Sequence, residues 1–305
     1  MSDPKLTDTA QQPVVPTAQV APPDPVSVRV QVEIGSATHT GLTRPNNEDS
    51  FLVGRVERAL QTVATNLPVS YGPARSEEVA YGMLVADGLG GSDGGEVASR
   101  LAVAGFVNLV LDTPDWIMRV DEPDADRVME RMGERFKRLG AAVAERAAAD
   151  PALKGMATTM TLACSSGPEV VIAHVGDSRA YLVRGTDLIR LTRDHTFAQD
   201  LADVGKIAQK DVEGHRYSHV LTRALGSQGG DVVADVTRLG LKDGDALLLC
   251  TDGLTNMVPE PAVAALIPGR TAQGACDALV AAALAAGGKD NVTVILARYR
   301  FPRGG

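Results

Sequence analysis

Aspartate residues recur in this sequence at the ends of apolar, strand-like runs, each beside glycine, serine or asparagine. Three of them close such a run: Asp87 in MLVADGLGG, Asp177 in IAHVGDS and Asp252 in LLLCTDG. A fourth, Asp290 in GGKDNVTVIL, comes directly before its run. A single Asp-Gly pair is most often a turn. Packed strands bring their ends together, however, so four such residues predict a cluster of carboxylates.

Such a cluster must be neutralised, because carboxylates held close together repel one another. Glu48 and Asp49, in RPNNEDSFLV, precede another strand-like run and add two more acids to the set. Oxygen ligands without nearby cysteine or histidine suit Mg²⁺ or Mn²⁺ and argue against zinc. Two such ions about 3.5–4 Å apart can hold a hydroxide for in-line attack on phosphorus.

The residues around this acidic set also suit phosphate chemistry. Five glycines follow Asp87 within eight residues, so the backbone can approach an ion and the Gly88 carbonyl can become a ligand. Arg44 lies four residues before Glu48, and a guanidinium can bind two phosphoryl oxygens as a fork. A simple glycine turn and a surface ion pair of Arg44 are the alternatives that the residues alone leave open.

Runs of strand length predict most of the elements that position these residues. We predict helices over residues 95–112, 125–149, 197–204 and 272–286, and a long polar loop over 61–78. The predicted strands lie in VRVQVEI, EDSFLVGR, EVAYGMLVAD, TTMTLACSS, EVVIAHVGD, RAYLVRG, VVADVTRL, DALLLCTDG and NVTVILARY. This pattern indicates a mixed α and β protein. It does not distinguish a doubly wound parallel sheet from an antiparallel sandwich between helices.

Composition and charge exclude several classes of partner. The net charge is −8 and no block of Lys or Arg occurs, so we expect no nucleic-acid or anionic-membrane partner. We see no signal peptide and no apolar stretch of the ~18 residues that a membrane span needs, and we expect a cytoplasmic protein. The three cysteines, Cys164, Cys250 and Cys276, lie in apolar segments and are predicted to be buried, reduced thiols. The proline-rich residues 1–27 are predicted to be a disordered tail, with a docking peptide as the alternative.

Eight short segments occur in the order seen in the metal-dependent serine/threonine protein phosphatases of the type 2C family, which this chain resembles. They are GLTRPNNEDSF, VADGLGG, GMATTMTL, HVGDSRAYL, LTRDHT, HVLTRALG, LLLCTDGL and KDNVTVILAR. The resemblance implies an α+β fold, an antiparallel β-sandwich of two sheets flanked by helices in α-β-β-α layers. It also implies a metal cleft at one end of the sandwich and a catalytic domain over residues 28–302.

The resemblance further implies a centre for two ions, Mn²⁺ or Mg²⁺, with a third ion in bacterial members. Asp87 would bridge two of the ions and Asp177 would bind the third. Glu48 or Asp49 would serve the second ion, directly or through water, and Asp49 is slightly favoured. The complete set of implied metal ligands is Glu48, Asp49, Asp87, Gly88, Asp177, Asp252 and Asp290.

Other implied roles concern the phosphate and the segments around the cleft. Arg44 would clamp the phosphate and, with Asp87, form the catalytic pair. Thr158 and Thr159 resemble a structural threonine pair, and residues 196–225 match a mobile flap near the substrate. Leu89 stands where eukaryotic members often carry a histidine, which suggests a bacterial-type enzyme. A metal-bound water would then have to protonate the leaving alkoxide.

The histidines are predicted to have supporting roles. His195, in RDHT, is expected to order its loop and not to transfer protons. His215 and His219 are spaced four apart, as in some helical metal sites, but no accompanying glutamate completes such a motif. We therefore expect both to lie on the surface of the flap.

The leading hypothesis is hydrolysis of phosphoserine and phosphothreonine in proteins by a water that bridges two divalent cations. The expected substrates are phosphoproteins made by a bacterial Ser/Thr kinase, and the expected state is a monomer. A pseudophosphatase that only binds phosphoproteins and a phosphatase for small phosphoesters are the alternatives.

Overall fold

The computed structural model describes residues 30–64, 75–90, 94–111, 125–227 and 232–302. The predicted tail over residues 1–27 lies outside the described residues and stays a prediction, as does the domain boundary at residue 28. Val28–Arg58 and Glu78–Gly305 form one compact unit, which contains every predicted site residue. Ala59–Glu77 is assigned to a second unit.

Two antiparallel sheets organise the larger unit. The first sheet has the strand order β1-β11-β10-β7-β8, and the second has the order β2-β3-β5-β6-β9, with β4 paired to β3. The strands are β1 (Gln31–His39), β2 (Asp49–Gln61), β3 (Arg75–Leu89), β4 (Ala157–Thr158), β5 (Met160–Ser166), β6 (Glu169–Val175), β7 (Arg179–Arg184), β8 (Asp187–Arg190), β9 (Asp235–Gly240), β10 (Ala246–Cys250) and β11 (Val292–Arg300). The structure therefore excludes the doubly wound parallel sheet.

Helices cover the outer face of each sheet. The helices are α1 (Gly94–Leu111), α2 (Ala125–Ala149), α3 (Phe197–Asp203), α4 (Asp252–Thr255), α5 (Glu260–Leu266) and α6 (Ala272–Ala285), with short 3₁₀ turns at Pro151–Leu153 and Gln209–Asp211. Side chains alternate across a strand, so in β10 Leu247 packs between the sheets while Leu248 packs toward Leu279 of α6. In the second sheet Leu84 packs against Phe136 of α2. This layering confirms the predicted α-β-β-α sandwich.

Sequence periodicity predicted most elements to within a few residues of their observed bounds, but it missed the polar and short ones. The predicted loop over 61–78 is shorter, because β2 includes Gln61 and β3 already begins at Arg75. The polar residues 75–78 carry no apolar alternation that would mark a strand. The strand predicted in VVADVTRL begins only at Asp235. Strand β8 was missed because it is a four-residue edge strand with half of its residues exposed, and α4 and α5 are too short to show a helical period.

The expectation that no segment qualifies as a membrane span is corrected at α1. Among the described residues, this helix is long and apolar enough to cross a membrane by length and composition alone. Ala98, Ala102 and Phe106 on one face are nevertheless buried in the protein, and Ala102 and Phe106 share a core with Phe136 of α2. The apolar character of α1 thus serves packing within the domain.

The three cysteines are free and buried, as predicted. Burial in apolar surroundings disfavours the thiolate. It raises the pKa of Cys164, Cys250 and Cys276 to about 12 in each case.

Candidate active site

The strand register brings the predicted acidic residues to one end of the sandwich. In the first sheet Cys250 pairs with Val294, so Asp252, after β10, lies near Asp290, before β11. In the second sheet Val85 pairs with Thr161, and Met160 pairs with Val175. The same end therefore carries Asp87 of β3 and Asp177 of the β6–β7 turn, as the predicted cleft requires.

A cavity of about 790 Å³ opens at this end. It is lined by Arg44 and by all but one of the predicted metal ligands, namely Glu48, Asp87, Gly88, Asp177, Asp252 and Asp290. Asp49 is the exception, since its side chain does not line the cavity. Between the two candidates for the second ion, it is therefore Glu48, not the slightly favoured Asp49, that faces the open space.

Asp87 lies at the centre of the acidic set. Its pKa is raised well above the ordinary value, first by burial and then by the charges of the other acids. Those neighbours, in decreasing order of effect, are Asp49, Asp252, Asp177 and Asp290. The pKa of Asp252 is raised as well, first by burial and then by the charge of Asp290. The carboxylates predicted from separate parts of the chain thus act on one another directly.

Two carboxylate oxygens in this set have no protein partner. Asp49 accepts hydrogen bonds on Oδ2 from the hydroxyls of Thr251, at 2.8 Å, and Thr293, at 2.7 Å. Asp252 accepts one on Oδ2 from Asn256 at 2.8 Å. The Oδ1 atoms of both aspartates are buried and find no hydrogen bond. Because a buried, unpaired carboxylate oxygen is costly, these atoms indicate a missing cation or water.

The backbone of Asp87 is held by the predicted threonine pair. The Asp87 N–H donates to the Thr159 hydroxyl at 2.9 Å, and the Thr158 hydroxyl donates to the Asp87 carbonyl at 2.8 Å. Strand β3 continues past Asp87, because Gly88 pairs with Thr158 of β4. A Cβ atom on Gly88 would lie 2.0 Å from the Gly95 carbonyl oxygen. The glycine is therefore required by the close approach of two backbone segments.

Arg44 reaches the cavity from the loop before β2. Its Nη2 donates to Asp290 Oδ2 at 2.7 Å, and about half of the Arg44 side chain is exposed. This contact is the surface ion pair of Arg44 that the sequence left open as an alternative to phosphate binding. It also places the guanidinium beside a predicted metal ligand, where a phosphoryl group would have to lie.

Asn291 is a supporting residue that the sequence reasoning missed. Its Oδ1 accepts from the Glu48 N–H at 2.8 Å, and its Nδ2 donates to the carbonyls of Thr40, at 2.8 Å, and Asn46, at 2.9 Å. These three bonds fasten the segment that carries Arg44 and Glu48 to the start of β11. The only available signal was its position directly after Asp290.

A second missed group links the cavity wall to the flap, residues 196–225. Arg179 is buried and binds Asp194, with Nη2 donating to Oδ2 at 2.8 Å. It also lies 3.5 Å from Glu213 of the flap. His219 lines the cavity from the flap, whereas His215 packs against the Tyr217 ring. The two flap histidines therefore do not face a common ion.

Comparison with known protein families identifies the family of this chain. The family model described as protein phosphatase 2C matches residues 72–285, which is more than half of the chain. The chain belongs to the protein phosphatase 2C family. The resemblance stated from the sequence is thereby confirmed.

Relatives in the phosphatase 2C family cover different shares of their own length. The Mycobacterium tuberculosis serine/threonine protein phosphatase PstP is 31% identical over 270 residues, covering 88% of this chain and 45% of PstP. The Listeria monocytogenes serine/threonine phosphatase stp is 36% identical over 215 residues, covering 70% of this chain and 82% of stp. This chain therefore spans less than half the length of PstP and most of the length of stp.

A solved structure of the PstP catalytic domain in complex with two manganese ions has the same phosphatase 2C fold. It aligns with a TM-score of 0.69 at 29% identity, covering 89% of this chain and 99% of that one. In this chain the candidate donors are carboxylate and carbonyl oxygens, and two of the buried oxygens lack a partner. Both features fit a hard divalent cation.

Two of the acidic side chains around the cavity have other polar side chains as partners. Within the described residues, no group of three or more acidic, histidine or cysteine side chains forms a ready ion site. Asp290 is turned toward Arg44, and Asp252 is bonded to Asn256.

We expect the metal-free protein to lose stability as the pH rises from about 4 to about 7. Burial raises the pKa of Asp49 from 3.8 to about 7, and the pKa values of Asp87, Asp177 and Asp252 shift in the same direction. The folded protein then retains protons that the unfolded chain releases, so the free energy of unfolding falls with pH across this window. Asp194 has a lowered pKa, so its contribution to the free energy of unfolding changes only at pH values below this window.

Thermal unfolding in chelator between about pH 5 and about pH 8 measures this effect. The variant Asp49→Asn should flatten the dependence, while the exposed control Asp187→Asn should keep it. Equal slopes for Asp49→Asn and the parent would contradict the assignment.

Proposed function

We propose that this chain is a metal-dependent protein phosphatase that hydrolyses phosphoserine and phosphothreonine in proteins, using Mn²⁺ or Mg²⁺. The observation that carries the proposal is that Asp87 lines one cavity together with Arg44 and four of the predicted acidic residues, Glu48, Asp177, Asp252 and Asp290. Such a set suits cations and a phosphoryl group, and family membership supports the same reaction. The curated relatives PstP and stp are serine/threonine phosphatases.

The role that we propose for each residue follows from its position in the cavity. Asp87 and Asp252, with the Gly88 carbonyl, would hold two cations, together with Glu48 and Asp290. Asp177 would hold a third ion, as implied for bacterial members. Bound divalent cations would neutralise the acidic cluster, lower the pKa of a water held between them and polarise the phosphoryl group.

The chain's own residues would orient the phosphate and shape the site. Arg44 would bind two phosphoryl oxygens with its fork and share its charge with Asp290. Leu89 lines the cavity and has no ionisable group, so residue 89 cannot serve as a general acid. Asn291 would keep Arg44 and Glu48 in register with Asp290 through its three hydrogen bonds to the backbone.

Phosphate release from a phosphothreonine peptide, with Mn²⁺, with Mg²⁺ and with a chelator, tests the proposed function. We expect turnover with either metal and none in chelator. Full activity in chelator would overturn the mechanism. Tight peptide binding without turnover in Mn²⁺ would instead favour the pseudophosphatase, and faster hydrolysis of a sugar phosphate than of the peptide would favour the small-phosphoester enzyme.

The biological setting is also part of the proposal. We propose that the substrates are phosphoproteins made by a bacterial Ser/Thr kinase, and that the enzyme works as a cytoplasmic monomer. Family membership and the acidic net charge of −8 support this setting. Phosphoproteomics of a strain without the gene, complemented with the parent or with Asp87→Asn, would identify the substrates.

Replacing Arg44 by lysine should lower kcat/KM on a phosphopeptide by about 10- to 100-fold, because an ammonium cannot form the two-oxygen fork. The charge opposite Asp290 would be kept, so the free energy of unfolding should change little. Steady-state kinetics in saturating Mn²⁺ measures the loss. Arg55→Lys, at an exposed arginine of β2 that pairs with Glu57, is the matched control. Parent-like kinetics for Arg44→Lys would contradict the proposed role of Arg44 in binding the phosphate.

A further inference from the structure

His195 binds the turn that carries Asp177. Both the backbone and the imidazole ring of His195 take part in this contact. The His195 N–H donates to the Gly176 carbonyl at 2.7 Å. In return, the Gly176 N–H donates to Nδ1 of the His195 ring at 3.1 Å. Gly176 directly precedes Asp177, so this reciprocal pair fixes the backbone from which that carboxylate projects into the cavity.

The other ring nitrogen of His195, Nε2, faces Asp235 of β9 and lies 3.2 Å from Nη1 of Arg223, near the far end of the flap. Because Nδ1 accepts a hydrogen bond, the proton of the neutral ring must lie on Nε2. Nε2 is 3.0 Å from Asp235 Oδ2 and donates to it. Asp235 accepts a second bond, on Oδ1, from Nη1 of Arg223 at 2.8 Å. The ring therefore connects Gly176 on one side to Asp235 and the flap residue Arg223 on the other.

The two ends of the flap also meet at His195. Its carbonyl accepts from the Thr222 N–H at 2.9 Å, and the Phe197 N–H donates to the Val220 carbonyl at 2.8 Å. Thr196 and Leu221 form an isolated antiparallel bridge. The flap is thus closed into a loop at the residue that binds the Asp177 turn.

The surroundings leave the His195 ring little freedom. The His195 side chain is fully buried, and its ring lies 4.9 Å from the ring of His174. His174 is itself bound on both nitrogens, to the Thr161 hydroxyl at 2.8 Å and to the Arg193 carbonyl at 3.1 Å. Rotation of the ring would break bonds on both of its sides.

We propose that His195 is a positioning residue that holds the Asp177 turn and the two ends of the flap in one arrangement. The effect on catalysis rests on the proposed function, in which Asp177 binds a cation. The hydrogen bonds that link the Asp177 turn to the flap through His195 do not depend on that function. Metal affinity at Asp177 and closure of the flap would then be coupled through one imidazole.

Two variants separate the two halves of this connection. In His195→Asn the amide oxygen can occupy the place of Nδ1 and keep the bond from Gly176, but nothing reaches Asp235. In His195→Gln the amide nitrogen can occupy the place of Nε2 and keep the bond to Asp235, but Gly176 loses its acceptor. His215→Gln changes a flap histidine that does not contact Gly176 and serves as the control.

Hydrogen exchange of the metal-free proteins is the primary measurement, because it requires no phosphatase activity. We expect His195→Gln to speed exchange about tenfold in the peptide spanning residues 173–178 and to leave the flap protected. His195→Asn should do the reverse, with faster exchange at residues 196–199 and 220–224. His215→Gln should match the parent in both segments. Unfolding temperatures establish that each variant is folded.

The Mn²⁺ concentration for half-maximal activity gives a second readout. We expect it to rise about tenfold in His195→Gln and to stay near the parent value in His195→Asn. Unchanged exchange in both variants, or equal loosening of both segments in both variants, would overturn the proposal. If the parent protein proved inactive on phosphopeptides, the exchange pattern would still decide the role of His195.

Discussion

Asp87→Asn is expected to abolish turnover, lowering kcat/KM on a phosphothreonine peptide by about 10³-fold or more. A neutral amide cannot offer an anionic oxygen to each of two cations. The substitution nearly preserves shape, so the Asp87 N–H should still donate to the Thr159 hydroxyl and the Asp87 carbonyl should still accept from the Thr158 hydroxyl. Single-turnover and steady-state assays in Mn²⁺ measure the loss.

The same substitution should stabilise the metal-free protein. Asp87 is buried among four carboxylates that raise its pKa, so at neutral pH the folded parent must either retain a proton there or bear a repelled charge, and an amide avoids both costs. Thermal unfolding in chelator should show a higher midpoint for Asp87→Asn than for the parent. Asp187→Asn, at an exposed position of β8, controls for the chemistry of the change. Retained activity, or a lower midpoint in chelator, would contradict the central position of Asp87.

Gly88→Ala should damage both the fold and the reaction. The added Cβ would lie 2.0 Å from the Gly95 carbonyl oxygen and 2.8 Å from the Glu48 carbonyl oxygen, so the backbone must shift. We expect the free energy of unfolding to fall by about 2 kcal/mol or more and kcat/KM to fall about 100-fold, since small displacements of positioned groups are costly. Denaturant unfolding and peptide hydrolysis measure the two effects.

A matched glycine on the same strand controls this prediction. A Cβ on Gly82 would meet no atom within 4 Å, so Gly82→Ala should leave activity unchanged and stability equal or slightly higher. Similar losses in both variants would mean that β3 tolerates no alanine for reasons unrelated to the close approach at Gly88.

The acidic cluster was predictable because charge and strand pattern are local in sequence. Asp87, Asp177, Asp252 and Asp290 each border an apolar run, and elementary packing then brings the ends of the runs together. The choice between Glu48 and Asp49 was not predictable in this way. The Asp49 carboxylate is held by the hydroxyls of Thr251 and Thr293, which come from segments far along the chain, and the choice of ligand stays a prediction.

The sheet order and the supporting residues needed more than local pattern. Strand β1 pairs with β11 at the other end of the chain, and no periodicity specifies such a partner. The resemblance to a family supplied that topology. Asn291 and Arg179 act through backbone carbonyls and buried ion pairs, and a sequence shows these contacts only after the fold is known. The predicted strand end at Asp87 was wrong because β4 extends the pairing through Leu89.

The buried thiols have a consequence for how this protein would behave under oxidative stress. All three cysteines are covered by side chains, and their pKa values of about 12 leave almost no thiolate at neutral pH. Phosphatases that attack phosphorus with a cysteine are silenced by peroxide and by alkylating reagents. If the chain hydrolyses phosphoproteins as proposed, that activity should continue under conditions in which thiol-dependent phosphatases have stopped.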